Sequence, residues 1–369
     1  MKPLSGIKVI DFTTLLPGPL ATLMLCEAGA EVIKIEKIGG EDMRNSEPTL
    51  GNESVLFAML NRGKKSIEIN LKNKSDLKKI INLIKKSDVL VEQFRPGVMK
   101  RLGLDWQTVK KINKNIVYCS ITGYGQHGIK KHKAGHDLNY LAESGLLKLS
   151  TSKDGTPVVP FSQIADIAGG SYPAFMNILL ALFQVQKTGL GCYLDVSMYE
   201  NLIPLAWLGL SKGITEKSFP KENSVHLNGG LARYNIYETK DKKFLALGAL
   251  ENKFWSKFCN IINVPKQISE EKISQKKIIA AIKKIIKSKN EKYWKNKFDN
   301  EEDVCCTSVN SLEDYFNDKH LIEKKIFANK IMINKKSIPL IPSALEPRLV
   351  KVRKINKAPK LGQHNDIVK

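Results

Sequence analysis

Cysteine is scarce in this chain, and the spacings that place cysteine in metal or redox sites are missing. The 369 residues contain six cysteines, none of them in a C-x-x-C pair. The pattern therefore gives no support to a zinc knuckle or a thioredoxin-type site, and we expect no metal ion. Such sparse cysteine is typical of a reducing compartment, so we expect a cytoplasmic protein.

Long apolar runs are missing as well. The first residues, MKPLSGIKVIDF, lack the apolar centre of a signal peptide. No run reaches the roughly 18–20 apolar residues that a membrane span needs. The longest apolar stretch, 174–185, is interrupted by Asn177 and Gln184, and the last three residues are not a peroxisomal address. We therefore predict no membrane association.

Acidic residues are few relative to basic ones. The sequence has 37 Asp and Glu against 59 Lys and Arg, a net charge of +22. Such an excess attracts anions, among them nucleic acids and phosphorylated cofactors. Here the lysines are spread along the whole chain, and no nucleic-acid motif accompanies them. The composition therefore favours a general enrichment in lysine, and we expect no nucleic-acid partner.

The first half alternates segments of strand and helix character. Predicted strands cover 6–12, 31–36, 66–70, 89–92, 116–121 and 193–198. Predicted helices cover 19–28, 74–86, 106–111 and 166–186. Strands separated by helices form parallel βαβ units with right-handed crossovers. The pattern predicts an α/β fold whose large domain is Rossmann-like.

The regular alternation stops after residue 198. A chain of this length exceeds the roughly 250–300 residues that one hydrophobic core usually supports. We therefore predict a second, smaller α+β domain. The predicted division is a large domain at 1–198, a connection at 199–230, the small domain at 231–320, a connection at 321–340 and a segment at 341–369 that returns to the large domain.

The turn after the first strand argues against a dinucleotide site. Glu36 ends the second strand, where an NAD-binding acid would lie. The turn itself reads Leu15-Leu16-Pro17-Gly18-Pro19, without G-x-G-x-x-G, and its two prolines remove two N–H donors. The sequence also lacks a P-loop lysine and an H-E-x-x-H helix.

Two ionisable residues, 30 positions apart, are candidates for chemistry. His136 lies in a G-H-D segment, and Asp166 opens the most apolar predicted helix. Free N–H groups and the positive dipole end of a helix suit an oxyanion. The spacing by itself also fits a helix-capping aspartate and a core histidine.

Several collinear segments carry a resemblance. They are LSGIKVIDFT at 4–13, GAEVIKIE at 29–36, NRGKKSIEINLK at 61–72, EQFRPGVMKRLGLDW at 92–106, YCSITGYGQHG at 118–128, AGHDLNY at 134–140, ADIAGG at 165–170 and PKLGQHND at 359–366. Together they resemble the class III CoA-transferase family, which includes formyl-CoA transferases and α-methylacyl-CoA racemases. The resemblance implies an enzyme acting on acyl-CoA, with coenzyme A as part of the substrate and no prosthetic group. It also implies an interlocked homodimer with a CoA-binding large domain.

Within the family the chain resembles the racemase branch. Racemases pair a histidine in G-H-D with an aspartate in D-x-x-G-G, which here are His136 and Asp166. Glu251 matches the racemase glutamate that contacts this histidine, and residues 228–234 resemble the racemase G-G-x-x-x-Y. One departure is Ser162, where racemases tend to carry asparagine.

The resemblance implies epimerisation of 2-methylacyl-CoA thioesters through an enolate, a reaction of fatty acid metabolism. His136 and Asp166 would exchange protons on opposite faces of the α-carbon, and Glu251 would orient His136. The enolate oxygen is expected at the N–H groups that open the helix at 166. The alternative is CoA transfer between carboxylic acids through an anhydride on Asp166. Transferases often carry a glutamine where this chain has Leu16.

The same resemblance implies the remaining contacts. Basic side chains would meet the phosphates of CoA, and an aromatic ring would pack on its adenine. We expect these contacts from Arg44, Lys64, Lys65, Phe94, Arg95, Arg101 and Lys133. We expect contacts to the acyl part from Asp137, Tyr140, Gly169 and Gly170.

Overall fold

The chain forms two compact units. The computed structural model describes residues 2–152, 154–350 and 356–368. The first unit takes the described residues of 1–144, 160–206 and 322–369, and the second takes those of 145–159 and 207–321. The segment 145–159 thus groups with the second unit, although the sequence places it in the large domain.

A parallel sheet of six strands forms the centre of the first unit, in the order β5-β2-β1-β6-β7-β8. All five strand pairings are parallel, which confirms the predicted α/β architecture. A two-stranded pair, β3 with β4, lies outside this sheet. The strands are β1 (Lys8–Asp11), β2 (Glu31–Glu36), β3 (Thr49–Leu50), β4 (Glu53–Ser54), β5 (Lys65–Glu68), β6 (Val89–Glu92), β7 (Val117–Thr122) and β8 (Tyr193–Ser197).

Helices pack on this sheet through apolar stripes. Ile80 and Ile84, one turn apart, are fully buried together with Val109, Ile10 and Leu90 in one core cluster. Residues four apart share a helix face, so this spacing turns the stripe toward the sheet. The helices of the unit up to residue 188 are α1 (Pro17–Glu27), α2 (Val55–Asn61), α3 (Lys74–Ile84), α4 (Val98–Arg101), α5 (Trp106–Ile112), α6 (Asp137–Glu143) and α7 (Tyr172–Thr188).

The most apolar helix begins in an unusual form. Residues Ala165–Ser171 are π-helical and continue into α7. Over its 24 residues, Ala165–Thr188, the run is long and apolar enough to cross a membrane by length and composition alone. This corrects the expectation that no segment reaches that length. Core helices of globular proteins meet the same criterion, and this helix packs against α1 and β7.

The second unit contains an antiparallel sheet in the order β11-β10-β9, formed by β9 (Tyr234–Glu238), β10 (Phe244–Gly248) and β11 (Cys306–Ser308). Ile278, Ile282 and Ile286 recur every four residues and are fully buried with Trp255 and Phe258. The helices after residue 206 are α8 (Trp207–Glu216), α9 (Asn252–Ile261), α10 (Lys266–Ser269), α11 (Gln275–Ile286), α12 (Glu291–Phe298), α13 (Leu312–Phe316) and α14 (Lys319–Glu323).

The predicted connection at 321–340 contains ordered structure. A hairpin of β12 (Lys330–Ile333) and β13 (Lys336–Pro339) buries Ile331 and Ile333 against Met59 of α2. Its apolar alternation gives residues 330–339 a core of their own within the predicted connection. The connection expected at 199–230 likewise includes α8.

The C-terminal segment contacts the edge strand β5. The His364 N–H donates to the Ser66 carbonyl at 2.9 Å, and the Glu68 N–H donates to Asn365 Oδ1 at 2.9 Å. The predicted segment 341–369 therefore reaches the large sheet at these residues. Its positions 351–355 and 369 lie outside the described residues.

Candidate active site

A cavity of about 460 Å³ opens at the carboxyl ends of β1, β6 and β7. The strand order reverses between β1 and β6, and open parallel sheets commonly bind ligands at such a point. Six residues predicted from the sequence line it together: Phe94, Arg95, Lys133, His136, Tyr140 and Asp166. The cavity is therefore the candidate active site.

His136 lies at the N-terminus of the short helix α6. Its backbone N–H donates to Asn139 Oδ1 at 3.0 Å, and the Tyr140 hydroxyl donates to the Gly135 carbonyl at 2.6 Å. Both bonds fix the turn that carries the histidine, whose side chain is exposed in the cavity wall. The prediction that His136 shares a site with Asp166 is consistent with this placement.

Asp166 lies in the π-helical turn, where its side chain is half-buried and faces the same cavity. Burial raises the pKa of this carboxyl to about 6, and the negative charge of Asp137 adds to the rise, while His136 opposes it. Desolvation and a like charge both favour the neutral acid. Asp166 therefore holds and releases a proton near neutral pH.

Asp137 has a different place from the one predicted. Its Oδ1 accepts the Asp166 backbone N–H at 2.9 Å, and it is not part of the cavity lining. The Ile167 N–H donates to the Gln163 carbonyl at 3.1 Å. Both N–H groups are therefore taken, which corrects the expectation that they receive an enolate oxygen. Asp137 positions Asp166 rather than contacting the acyl group from the cavity wall.

The two glycines predicted to contact substrate are buried in packing. A Cβ at Gly169 would overlap the carbonyl oxygen of Met198. A Cβ at Gly170 would lie 3.0 Å from Met198 Cγ and 3.1 Å from Pro17 Cβ. Neither glycine lines the cavity. Their small size lets the π-helical turn approach residue 198 and the start of α1.

Lys64 is the clearest error among the predicted CoA contacts. Its side chain is fully buried, and Nζ lies 3.1 Å from Asp11 Oδ2 and 2.8 Å from Thr22 Oγ1. Burial lowers the pKa of Lys64 to about 8, and the Asp11 charge opposes that shift. A lysine enclosed by its own acceptors has no donor left for a phosphate, so Lys64 stabilises the first βα unit instead.

Two further predicted cations are also paired away from the cavity. Arg44 forms a bidentate pair with Glu36, both N–O distances being 2.7 Å, and its guanidinium lies 3.9 Å from the centre of the Phe57 ring. Lys65 pairs with Glu31 at 2.8 Å on the surface. The structure thus does not bring Arg44 and Lys65 to the candidate site.

The remaining predicted cations differ in whether they line the cavity and whether an acidic side chain binds them. Lys133 lines the cavity but pairs with Glu143, which also binds Lys130 at 2.7 Å. Arg95 lines the cavity and is exposed, and its guanidinium makes no hydrogen bond or ion pair with another described residue. Arg101 is exposed at the end of α4, outside the lining. Arg95 is therefore the predicted cation best placed for an anionic ligand.

The turn after β6 holds Phe94 and Arg95 in place. The Phe94 N–H donates to Glu92 Oε2 at 2.8 Å, and Gln93 Oε1 accepts the Gly18 N–H at 2.9 Å. Burial raises the pKa of Glu92 to about 7. The lining residues Gln93 and Leu15 were not predicted as site residues. Gln93 directly follows β6, and Leu15 lies in the turn after β1, at the point where the sheet order reverses. This position is the pattern that identifies them.

Glu251 lies in the second unit, directly before α9, and its carboxylate does not cap that helix. Ser162 is exposed, four residues before Asp166. Across the described parts of the chain, no group of three His, Cys, Asp or Glu side chains is arranged to hold a metal ion.

Comparison with known proteins shows the family of the chain. The sequence model described as CoA-transferase family III matches residues 4–365. The chain is 32% identical to succinyl-CoA:glutarate CoA-transferase of Mus musculus, over 99% of this chain and 85% of that protein. It is 30% identical to α-methylacyl-CoA racemase of Homo sapiens, over 98% of this chain and 91% of that protein.

Two solved structures share the fold. Rv3272 of Mycobacterium tuberculosis superposes with a TM-score of 0.85 at 24% identity, covering 100% of this chain and 99% of that one. A CAIB/BAIF family protein of Brucella suis superposes with a TM-score of 0.83 at 23% identity, covering 100% and 98%. The sequence match shows that this chain is a member of CoA-transferase family III, whose members act on acyl-CoA.

Proposed function

We propose that this enzyme epimerises 2-methylacyl-CoA thioesters by proton transfer between two groups. One observation carries the proposal: His136 and Asp166 line the same cavity, and the pKa of Asp166 is raised to about 6. A carboxyl group with this pKa supplies a proton near neutrality, as an acid partner to a histidine base must.

The reaction moves one proton off the α-carbon and another onto it. Neutral His136 takes the α-proton, and the C–H electron pair forms an enolate with the thioester carbonyl. Protonated Asp166 then delivers a proton to the opposite face of that carbon, which regenerates the thioester with inverted configuration. The second epimer reacts with the roles exchanged. The pair therefore carries one proton in total in either active form.

The phosphates of coenzyme A require a cationic side chain in the proposed site. Arg95 projects from the cavity wall without an acidic partner among the described residues, and phosphate oxygens accept strong hydrogen bonds from a guanidinium. Phe94 lines the same wall and offers a ring for the adenine. We assign Arg95 to the phosphates and Phe94 to the base.

CoA transfer is the second candidate, favoured by the 32% identity to a CoA-transferase. In that reaction the Asp166 carboxylate attacks the thioester carbonyl and displaces the CoA thiolate, which forms a mixed aspartyl anhydride. The incoming carboxylate attacks the Asp166 carbonyl of this anhydride and displaces the donor acid as its carboxylate. The CoA thiolate then attacks the acyl carbonyl of the new anhydride, which forms the new thioester and frees the Asp166 carboxylate. This route needs Asp166 ionised and leaves the α-proton in place.

The deciding experiment is proton NMR of a 2-methylacyl-CoA in D₂O with purified enzyme and no acceptor acid. Loss of the α-proton signal with appearance of the other epimer supports the racemase. His136→Ala and Asp166→Ala should each abolish the exchange. No exchange in the wild type, together with CoA movement to added succinate and hydroxylamine trapping of an aspartyl intermediate, would overturn the racemase in favour of the transferase.

We also propose that the active form is a homodimer in which Glu251 of one copy reaches His136 of the other. An apolar stripe on α7 supports a partner: Met176, Leu180 and Phe183 share one helix face, and each is more than half exposed. Exposed apolar patches of this kind mark interaction surfaces. Sedimentation velocity of wild type and Leu180→Asp tests the assembly.

Mixed dimers test the shared site. Neither His136→Ala nor Glu251→Gln should be active alone. If Glu251 acts across the dimer, co-expression restores about a quarter of wild-type activity, because half of the dimers are mixed and each has one intact site. No recovery in mixed dimers would contradict a site shared between copies.

A further inference from the structure

Leu15 adopts a backbone conformation that its side chain disfavours. Its φ is 61°, in the left-handed region that L-residues other than Asn and Asp rarely adopt. The residue follows β1, is 39% exposed and lines the cavity that also contains His136 and Asp166. Such strain persists only where surrounding contacts impose it.

A buried ion pair contacts the backbone of this residue. The Leu15 N–H donates to Glu41 Oε2 at 2.8 Å, and Glu41 Oε1 lies 2.8 Å from Lys34 Nζ. The side chain of Lys34 is 0% exposed and that of Glu41 is 2% exposed. Both oxygens of one buried carboxylate are thus divided between the strained backbone and a lysine from β2.

The same lysine holds the preceding turn. Lys34 Nζ donates to the Thr13 carbonyl at 2.7 Å, and the Thr13 N–H donates to Asp11 Oδ1 at 2.8 Å. Charged side chains from β1, from β2 and from the segment after β2 therefore clamp residues 13 to 15. The clamp fixes the turn that follows β1, and residues 13 to 17 of this turn include no glycine.

A gain in protein stability is a weak explanation for a buried ion pair of this kind. Desolvation of two charges offsets most of their attraction, and replacing a buried pair by apolar residues is often neutral or stabilising. The distinctive property of this pair is that its oxygen and nitrogen atoms bind backbone groups of the cavity wall. Its consequence therefore lies in the shape of the site.

We propose that Glu41 and Lys34 are positioning residues that hold Leu15 in the left-handed conformation, and so set the wall against which the acyl group is placed. The inference rests on the proposed function of the cavity. Neither residue lines the cavity, so each acts through the backbone of residues 13 to 15.

The test removes the pair without leaving one charge behind. In Lys34→Met/Glu41→Leu, CoA affinity by calorimetry should stay within about threefold of the wild type. The kcat for α-proton exchange should fall about tenfold to a hundredfold, because small displacements of a reacting group have effects of that size. The matched control, Asp76→Asn/Lys79→Gln, removes a partly exposed ion pair on α3 and should change neither quantity.

Removal of the pair in the Leu15→Gly variant distinguishes a positioning role of the pair from a general structural role. Glycine adopts the left-handed conformation without strain. In Leu15→Gly, removal of the pair should therefore lower kcat by less than about threefold. An equal loss in the wild-type and the Leu15→Gly backgrounds would overturn the proposal, since the effect of a merely structural pair does not depend on residue 15.

Hydrogen exchange of the Leu15 amide tests the inference without measuring the reaction. The Leu15 amide should exchange faster in Lys34→Met/Glu41→Leu than in the wild type, whatever the substrate is. Wild-type protection of that amide in the double variant would refute the clamp. A wild type inactive in both the proton-exchange and the CoA-transfer assays would instead refute the proposed function.

Discussion

The Asp137 carboxylate accepts the backbone N–H of Asp166 at 2.9 Å, so two acidic residues meet beside the candidate catalytic cavity. The bond fixes the π-helical turn that carries Asp166. The charge of Asp137 also contributes, after burial, to the raised pKa of Asp166. One residue thus fixes the position of its neighbour and adds to the rise in its pKa.

Asp137→Asn separates these two effects. The amide oxygen still accepts the Asp166 N–H, but the negative charge is lost, so the pKa of Asp166 should fall from about 6 toward its ordinary value of 3.8. The acid limb of the kcat/KM profile should move to lower pH. Asp137→Ala loses both contributions and should also lower kcat at the optimum. An unmoved acid limb in Asp137→Asn would show that the Asp137 charge has no influence on Asp166.

The pH profile of the wild type distinguishes the two candidate reactions. Epimerisation requires one proton on the His136–Asp166 pair, so kcat/KM should fall on both sides of an optimum. Transfer through an anhydride requires only ionised Asp166, so kcat/KM should rise through about pH 6 and then level off. Initial rates between about pH 4.5 and 9 measure the difference. A plateau above neutral pH would argue against the two-base mechanism.

Asp166→Asn should stabilise the protein by an amount that grows as pH rises from about 4 to about 6 and stays constant above that. A carboxyl group whose folded pKa lies above its unfolded value gives stability that is fully present below the unfolded pKa of 3.8. That stability is lost as pH rises through about 6, where the folded protein must hold the charge. Asparagine stays neutral. The variant should therefore gain about 1–2 kcal/mol at pH 8, after a discount for partial exposure, and little at pH 4.

Urea unfolding at the two pH values measures this gain. His136→Gln is the control, because it leaves the buried carboxyl in place. An equal stability difference between Asp166→Asn and the wild type at pH 4 and pH 8 would contradict the raised pKa.

Local patterns in the sequence predicted the strands well. Glu31–Glu36 and Val89–Glu92 have the predicted bounds, because each has three Val, Ile or Leu residues within a short segment that ends at a glutamate. The helix Asp137–Glu143 was missed, since its seven residues are too few for a clear period. The π-helical turn before α7 also has no sequence period of its own, and it depends on glycines that fit against Met198.

The structure brings His136 and Asp166, which the resemblance assigned to one site, to one cavity, whereas three of the predicted cations are paired with acids elsewhere. The roles of His136 and Asp166 in chemistry stay a prediction. The resemblance does not distinguish a lysine facing solvent from one paired inside. The partner of Lys64 is Asp11, 53 residues away, and that contact arises only when β1 and β5 join one sheet. Ion pairing is a property of the fold, so sequence spacing does not reveal it.

Substitution of Lys64 should therefore lower the stability of the protein, whereas substitution of Arg95 should weaken CoA binding. Lys64→Met leaves the buried Asp11 without its closest cation and should destabilise the protein by about 3–5 kcal/mol. Arg95→Ala should change stability by less than about 0.5 kcal/mol, because its side chain is exposed and has no partner among the described residues. It should weaken CoA binding about tenfold if the guanidinium meets a phosphate.

Thermal unfolding and titration calorimetry with free CoA measure the two effects. Arg101→Ala is the matched control, because it removes an exposed arginine outside the cavity lining. Equal CoA affinity in Arg95→Ala and the wild type would remove Arg95 from the CoA site. A stable Lys64→Met protein with weakened CoA binding would return Lys64 to it.

Gly169→Ala tests whether the π-helical turn depends on close packing. The added Cβ would overlap the carbonyl oxygen of Met198, and a backbone atom has little room to move aside. We expect a loss of about 1–3 kcal/mol in the free energy of unfolding, as in other overpacked cores. Gly248→Ala is the control, since a Cβ there meets no atom within 4 Å and the backbone needs no positive φ. Urea unfolding measures the free energy of unfolding of the two variants. Wild-type stability with lost activity in Gly169→Ala would mean that the glycine contacts substrate after all, whereas parallel losses mean that it holds Asp166 in place through packing.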